Sequence, residues 1–432
     1  MVKILKTLKV VYQGQDVGAL SVDPSTGQCT FMYIPEFVKT GIELSPLMMP
    51  LRENYIYSFD TLSPESFKGL PGMLTDSLPD DFGNRILNAW LALKGDHSLP
   101  INPIDQLRYI GKRGMGALEF LPAKARGELN TQDPVHIEEL VATTQKILSA
   151  DYRHEMDCKI FLPLVRVATS AGGKRPKAIL AFNEDFKKVL PGQTNVPPGY
   201  KHYLVKFDSL REGNIDRETI NGSGLSAVEY VYHQMAIFCG IDMMPCYLLN
   251  EGNSQHFMTQ RFDRIGNEKL HVQTLSALAH VDYKSPGSFS YEQLFILLNE
   301  LKMTAVEADQ ILKRMIFNIV TRNLDDHAKN FSFILRDRKW QLAPAYDLTY
   351  SYAPGSFMGD LHWMSLNGKR KNFNLEDILS VQSLNRKFTP RYVLSVLEHT
   401  IEVATKWDML AKAVAVPEEL IEKIAANLKL KF

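Results

Sequence analysis

A chain of 432 residues, 45% apolar and 23% charged, has the composition of a globular protein and length for roughly two to three domains. Its 49 basic and 49 acidic side chains cancel, which argues against gripping nucleic acid through a global positive field and leaves room for a local patch or a DNA-binding partner. The four cysteines show no CxxC pair and no zinc spacing, so they read as buried thiols of a reducing cytoplasm; no apolar run is long enough to cross a bilayer.

In chain order, strands are expected at 3–13, 19–22 and 29–34, with turns at Gly14–Gly18 and Asp23–Gly27, which makes an antiparallel meander. Leu70-Pro71-Gly72 and Leu78-Pro79-Asp80-Asp81 punctuate before a helix at 82–93, and a glycine-rich turn at 111–116 enters a strand ending near Phe120. The polar, proline-bearing stretch 121–135 predicts a domain boundary, followed by a helix at 136–150. A second region brings Phe161–Ala168, a loop at 169–177, a strand at 178–182 and a strand at 203–207 that carries Lys206. An amphipathic helix at 224–239, two strands around Glu251-Gly252-Asn253 and a linker near 263–289 come next. Helices at 290–302, 304–322, 375–381, 389–413 and 416–430 complete the chain. The layout is α+β: a small β-rich N-terminal domain (1–122), then a two-lobe region with its β-containing lobe at 136–265 and a mainly helical lobe at 266–432.

The stretch Asn323-Leu324-Asp325-Asp326-His327-Ala328-Lys329-Asn330 leaves the helix 304–322, and Asp347 follows 17 residues after Asn330. Asp325 and Asn330 have the D-x-x-x-x-N spacing of a phosphotransferase catalytic loop, and Asp347 stands where a second metal-binding carboxylate is needed. Phosphoryl transfer needs a carboxylate at the attacking hydroxyl and oxygen ligands for Mg2+. Asp325 is therefore the candidate base, Asn330 and Asp347 the candidate metal ligands, and Asp326 the less expected catalyst. A single such carboxylate is more often a helix-capping turn residue; it is the set that points to chemistry. Lys206, one lysine on an apolar strand upstream of a helix, suits a phosphate contact, though an edge-strand guard is the commoner use. Glu229 could pair with it, but Ser226-Ala227-Val228-Glu229 reads better as a capping box. The loop at 169–177 offers backbone amides and cations without being a Walker A motif. Leu225, Val228, Tyr232 and Met235 form a core face; His271, His280 and His362 read as structural, and Lys369-Arg370-Lys371 as a solvated loop.

Together, Gly172-Gly173-Lys174-Arg175-Pro176-Lys177, Leu204-Val205-Lys206-Phe207, Gln260-Arg261-Phe262-Asp263-Arg264, Asn323–Ser332 and Pro344-Ala345-Tyr346-Asp347-Leu348 resemble the HipA family of serine/threonine kinases, toxins of HipBA toxin–antitoxin modules. Leu78-Pro79-Asp80 and Gly114-Met115-Gly116-Ala117-Leu118 resemble its N-terminal domain. The resemblance spans roughly residues 1–350 and implies a kinase-like fold using ATP and Mg2+. It implies Asp325 as catalytic, Asn330 and Asp347 as Mg2+ ligands, and Lys206 on the phosphates. It places Gln260 and Phe262 at the adenine hinge, Asp263 near the ribose, and His327 and Tyr346 along the nucleotide pocket. Gly172, Gly173, Lys174 and Lys177 would bind phosphate, and Thr169 or Ser170 would be the autophosphorylation site. The implied partners are a protein substrate, with an aminoacyl-tRNA synthetase as candidate, and a HipB-like helix-turn-helix antitoxin that supplies the DNA contact. Two alternatives remain: an inactive ATP-binding corepressor and a small-molecule phosphotransferase.

Overall fold

The computed structural model describes residues 7–23, 25–93, 101–124, 129–148, 158–167, 175–208, 224–252, 254–356 and 358–432. The N-terminal sheet comprises β1 (Thr7–Tyr12), β2 (Gln15–Val22), β3 (Cys29–Tyr33), β4 (Ile56–Ser58) and β5 (Leu118–Leu121), in the antiparallel order β4-β3-β2-β1-β5. The meander is present, but its first turn is Gln13-Gly14, both with positive φ (46° and 78°). A two-residue turn of that hand matches the twist of the strands it joins, so Gln15–Gly18, expected as turn, is strand. Leu8, Val10 and Tyr12 alternate inward to meet Phe31, Tyr33, Phe37 and Met73.

The second sheet comprises β6 (Lys177–Phe182), β7 (Val189–Pro191), β8 (Lys201–Lys206), β9 (Cys246–Glu251) and β10 (Ser254–Gln260), ordered β7-β6-β8-β10-β9. The helix Leu225–Phe238 packs on β9 and β10. It buries Val228, Val231, Tyr232 and Met235 with Phe317 and Trp407, as its periodicity predicts. The helices Asp81–Leu93 and Cys158–Val167 pack on one another, and Phe82, Ile86 and Trp90 share a core with Leu164, Leu180 and Tyr203. Residues 81–93 therefore belong by packing to the second sheet, although they precede the sequence boundary.

The segment 263–289, expected as a linker, is structured. It holds β11 (Arg264–Ile265), β12 (Glu268–Lys269), β13 (His271–Thr274) and the helix Leu275–Ala279. β13 pairs with β14 (Ser332–Arg336), which pairs with β15 (Lys339–Leu342). The N-terminal domain clamps this small sheet. The Leu44 carbonyl accepts from His271 Nε2 (2.9 Å) and from Gln273 Nε2; the Glu43 carbonyl accepts from Trp340 Nε1 (3.0 Å). Asp76 accepts from the Thr274 amide (2.7 Å) and hydroxyl (3.0 Å), and the Gly72 amide donates to His280 Nε2 (3.0 Å). Only glycine fits at position 72, because a Cβ there would lie 2.3 Å from the Ala277 carbonyl oxygen.

The C-terminal lobe packs the helices Tyr291–Glu300, Ala305–Thr321 and Pro390–Ala404 around Leu294, Ile311, Met315 and Leu397. Ser290 with Gln293 and Thr304 with Glu307 close capping boxes on the first two. The helix expected at 389–413 is two, Pro390–Ala404 and Trp407–Ala413, followed by Glu418–Asn427. Cys29, Cys239 and Cys246 are buried free thiols, and among the described residues no helix is long and apolar enough to cross a membrane.

Candidate active site

The helix Ala305–Thr321 ends at Arg322, whose φ of 60° turns the chain out of the helix. Asn323 ties the exit back, its Nδ2 donating to Asn318 Oδ1 at 2.9 Å. The next two carboxylates then part company. Asp325 keeps 48% of its side chain exposed, with His327 Nε2 3.7 Å from its Oδ1. Asp326 is buried and accepts from Tyr291 OH (2.7 Å), His362 Nδ1 (2.9 Å), the Trp363 amide (2.7 Å) and the Met364 amide (3.3 Å). It is a buried anchor under the loop, and His362 is structural as expected. Ser351 was not legible in the sequence. Its Oγ accepts from the Leu324 amide (2.7 Å) and the Asp325 amide (3.0 Å), fixing the backbone of the candidate base. Asn330 Nδ2 donates to the Asp325 carbonyl at 2.7 Å, so a cation at Asn330 would meet the side-chain oxygen.

Lys206 ends β8 and joins the lobes. Its Nζ lies 2.5 Å from Glu229 Oε1 and also donates to Asp347. The capping box expected around Glu229 is absent. Gly224 caps the helix, Asp208 accepts from the Gly224 amide (3.0 Å) and the Ser226 amide (3.3 Å), and the Ser226 hydroxyl accepts from Arg175 Nη2 (3.2 Å). Glu229 is thereby freed to hold Lys206 and to accept from Arg175 Nη1 at 3.1 Å. Asp347 adopts a φ of 55°, an uncommon conformation of the kind that gathers at functional sites. Burial works against its charge, but Lys206, and with it Lys177 and His327, holds the carboxyl well below the ordinary carboxylate range. Burial likewise opposes charge on Lys206, and Asp347 and Glu229 together raise it above the ordinary lysine value. A Mg2+ ion would find hard oxygen donors of the kind it prefers in Asp347 and Asn330, with phosphate and water to complete its shell.

Tyr346 stacks on Phe262 with centroids 5.6 Å apart, and its OH donates to the Lys329 carbonyl at 2.6 Å. Phe262, two residues beyond Gln260 at the end of β10, is thus brought together with Tyr346 from far along the chain. His327 is held between the rings of Tyr283 and Trp363, each at 5.8 Å. Asp263 does not take the place expected for a ribose contact. It is fully buried, and its carboxylate accepts from Arg261 Nε (2.8 Å) and Nη2 (2.7 Å), Arg264 Nη1 (2.7 Å) and the Gly116 amide (2.8 Å). Arg264 also reaches the Gly114 carbonyl at 3.1 Å. These bonds explain why the Gln260–Arg264 and Gly114–Leu118 motifs occur in one chain: they grip each other across the domain boundary.

Thr169, Ser170, Gly172, Gly173 and Lys174 lie outside the described residues. Lys177 lies within them, and it does not stand in an open phosphate loop. It begins β6, is 2% exposed, and its Nζ lies 3.3 Å from Asp80 Oδ2. Burial lowers the Lys177 ammonium and raises the Asp80 carboxyl, each partly offset by the other. The run 369–371 is anchored rather than merely solvated: Lys369 pairs with Asp377 (2.9 Å), Lys371 with Asp360 (2.9 Å), and Arg370 Nε donates to the His362 carbonyl (2.6 Å).

Residues 169–431 match the HipA-like C-terminal domain, and residues 8–121 match the HipA N-terminal domain. The Toxin YjjJ of Escherichia coli (strain K12) is 30% identical over 193 residues, which covers 44% of this chain and 40% of that protein. The serine/threonine-protein kinase toxin HipA of Shewanella oneidensis is 23% identical over 357 residues, covering 77% of this chain and 72% of that one. A solved structure of the Shewanella oneidensis HipA, HipB and operator DNA complex superposes with a TM-score of 0.67 at 19% identity, over 97% of this chain and 95% of that one. The likeness is one of fold: a mixed α+β chain with an N-terminal sheet ahead of a kinase-like region.

Proposed function

This chain belongs to the HipA family, and from that premise we propose that it is an ATP- and Mg2+-dependent protein serine/threonine kinase of a toxin–antitoxin module. The observation that carries the reading is Lys206. One ammonium is held by a carboxylate of the helix Leu225–Phe238 and by Asp347, beside a loop that presents an accessible Asp325. In this reading Lys206, steadied by Glu229, binds the nucleotide phosphates. The stacked Phe262 and Tyr346 border the base at the end of β10. Asp325, its backbone fixed by Ser351 and Asn330, orients the acceptor hydroxyl and takes its proton. Asn330 and Asp347 hold Mg2+, which supplies charge neutralisation for the transferred phosphoryl group. Asp263 acts at a distance, fixing the hinge against the N-terminal domain.

The acceptor is a serine or threonine of a cytoplasmic protein, an aminoacyl-tRNA synthetase being the first candidate, and Thr169 or Ser170 in the chain itself. A HipB-like helix-turn-helix antitoxin restrains the kinase and supplies the DNA contact that a neutral chain lacks. The test is label transfer from γ-labelled ATP with Mg2+. Wild type incorporates label into itself or a substrate protein, while Asp325→Asn does not; both melt higher with Mg-ATP. Equal inertness of the two across candidate substrates, with no thermal shift, overturns the reading. Binding without transfer in wild type points to a non-catalytic corepressor.

A further inference from the structure

We propose that Asp80, from the N-terminal half of the chain, is a positioning residue for the phosphate-facing site and acts through Lys177. The inference rests on the kinase reading above. Asp80 does two things at once. Its Oδ1 accepts from the Gly83 amide at 2.6 Å and so caps the helix Asp81–Leu93; its Oδ2 faces Lys177 Nζ at 3.3 Å. Both side chains are almost wholly buried. Lys177 is the direct cross-strand partner of Lys206 in the β6–β8 register. Residues opposite one another in an antiparallel pair project to the same face. Two ammonium groups therefore stand side by side under the nucleotide site, and Asp347 attracts both.

Asp80 settles how they share. Its carboxylate gives Lys177 a counter-charge of its own, so Asp347 is kept for Lys206 and for the cation. Remove that charge, and Lys177 draws on Asp347 in competition with both. The N-terminal half thus supplies a buried anion that keeps the metal-binding carboxylate available. The Leu78-Pro79-Asp80 turn, remote in sequence from Lys206, is thereby linked to it through Lys177.

The test compares full-length wild type, Asp80→Asn and the double variant Asp80→Asn/Lys177→Met. Asparagine caps a helix about as well as aspartate, so the first substitution removes charge and keeps the cap. Expected is a rise of about tenfold or more in the Mg2+ concentration for half-maximal phosphoryl transfer with Asp80→Asn, the usual cost of disturbing a group behind a metal ligand. Turnover at saturating Mg2+ changes little, and the double variant returns toward wild type. An unchanged Mg2+ dependence in Asp80→Asn overturns the proposal. So does equal impairment of single and double variants, which would mark a purely structural role. Wild type that neither binds Mg-ATP nor transfers phosphate removes the kinase reading and this proposal together; active wild type with an indifferent Asp80→Asn removes this proposal alone.

Discussion

Asp325 and Asp326 are neighbours with opposite burdens, and replacing each by alanine separates chemistry from stability. Asp326 is buried and its two oxygens serve four donors: Tyr291 OH, His362 Nδ1 and the amides of Trp363 and Met364. Alanine takes the acceptor from Tyr291 OH, His362 Nδ1 and the Met364 amide, while the Trp363 amide keeps the Leu324 carbonyl at 3.2 Å. A stranded buried donor costs about 1–3 kcal/mol. Counting the three donors so stranded, near the low end of that range, the loss is about 4 kcal/mol, a large fraction of the roughly 5–15 kcal/mol that holds a typical protein folded. At roughly 2–4 °C per kcal/mol for a lobe of this size, Asp326→Ala melts roughly 8–16 °C below wild type. Asp325 is half exposed, and it is its backbone amide, not its side chain, that donates to Ser351 Oγ. Asp325→Ala therefore melts close to wild type while label transfer is lost. The assay is differential scanning fluorimetry beside label transfer on all three proteins. If Asp326→Ala melts with wild type, or if Asp325→Ala falls as far as Asp326→Ala, the assignment of anchor and base is wrong.

Two further outcomes follow from the same geometry. Glu229→Gln removes the buried charge that steadies Lys206 while Asp347 remains, so kcat/KM for ATP drops about tenfold, equivalent to ~1.4 kcal/mol; an unchanged ATP-concentration dependence would show that the pair is idle. Acid should loosen the N-terminal clamp. Burial pulls His271 and His280 down to about 4 from an ordinary 6.5. Their folded values lie below their unfolded ones, so the unfolded chain binds more protons between those limits. Their contribution is complete above about 6.5 and is lost as pH falls toward about 4. His280 Nε2 accepts from the Gly72 amide and cannot do so once protonated. Melting temperature should therefore decline between pH 7 and pH 5, and a flat profile over that interval contradicts the role given to these rings.

The features that could be read from the sequence are those written locally. Helix periodicity places Leu225–Phe238 with its buried face, and capping residues place the starts of Tyr291–Glu300 and Ala305–Thr321. The order of Lys206, catalytic loop and Asp347 needs only spacing. What fails depends on partners far along the chain. β13 has four residues, too few for a convincing alternation, and is a strand because β14 lies beside it. Glu229 carries a valid capping signature, but Asp208 takes the helix amides first and leaves it to Lys206 and Arg175. Asp263 looks like a ligand in its motif until Arg261, Arg264 and Gly116 are brought around it. Ser351 has no signature at all, because its task is to receive two amides from a loop 26 and 27 residues upstream. Lys177 belongs to a cationic stretch by sequence and to a buried pair by packing.

The ion pair between Lys206 and Asp347 sets a condition on what can enter between them. Each of these groups answers the other, so an incoming charge joins by exchange and not by simple addition. A lone anion that captures the ammonium takes from Asp347 its directly bonded cation and leaves it the weaker pull of Lys177 and His327. A lone cation that captures the carboxylate leaves Lys206 with Glu229 only. A species that brings both signs together, an anion already carrying a divalent cation, leaves neither side chain unanswered. Under the proposed kinase reading the pair is a coincidence filter: discrimination against free phosphate or free metal is set by the cost of the bond that must be opened, before any contact to a base or a sugar is made.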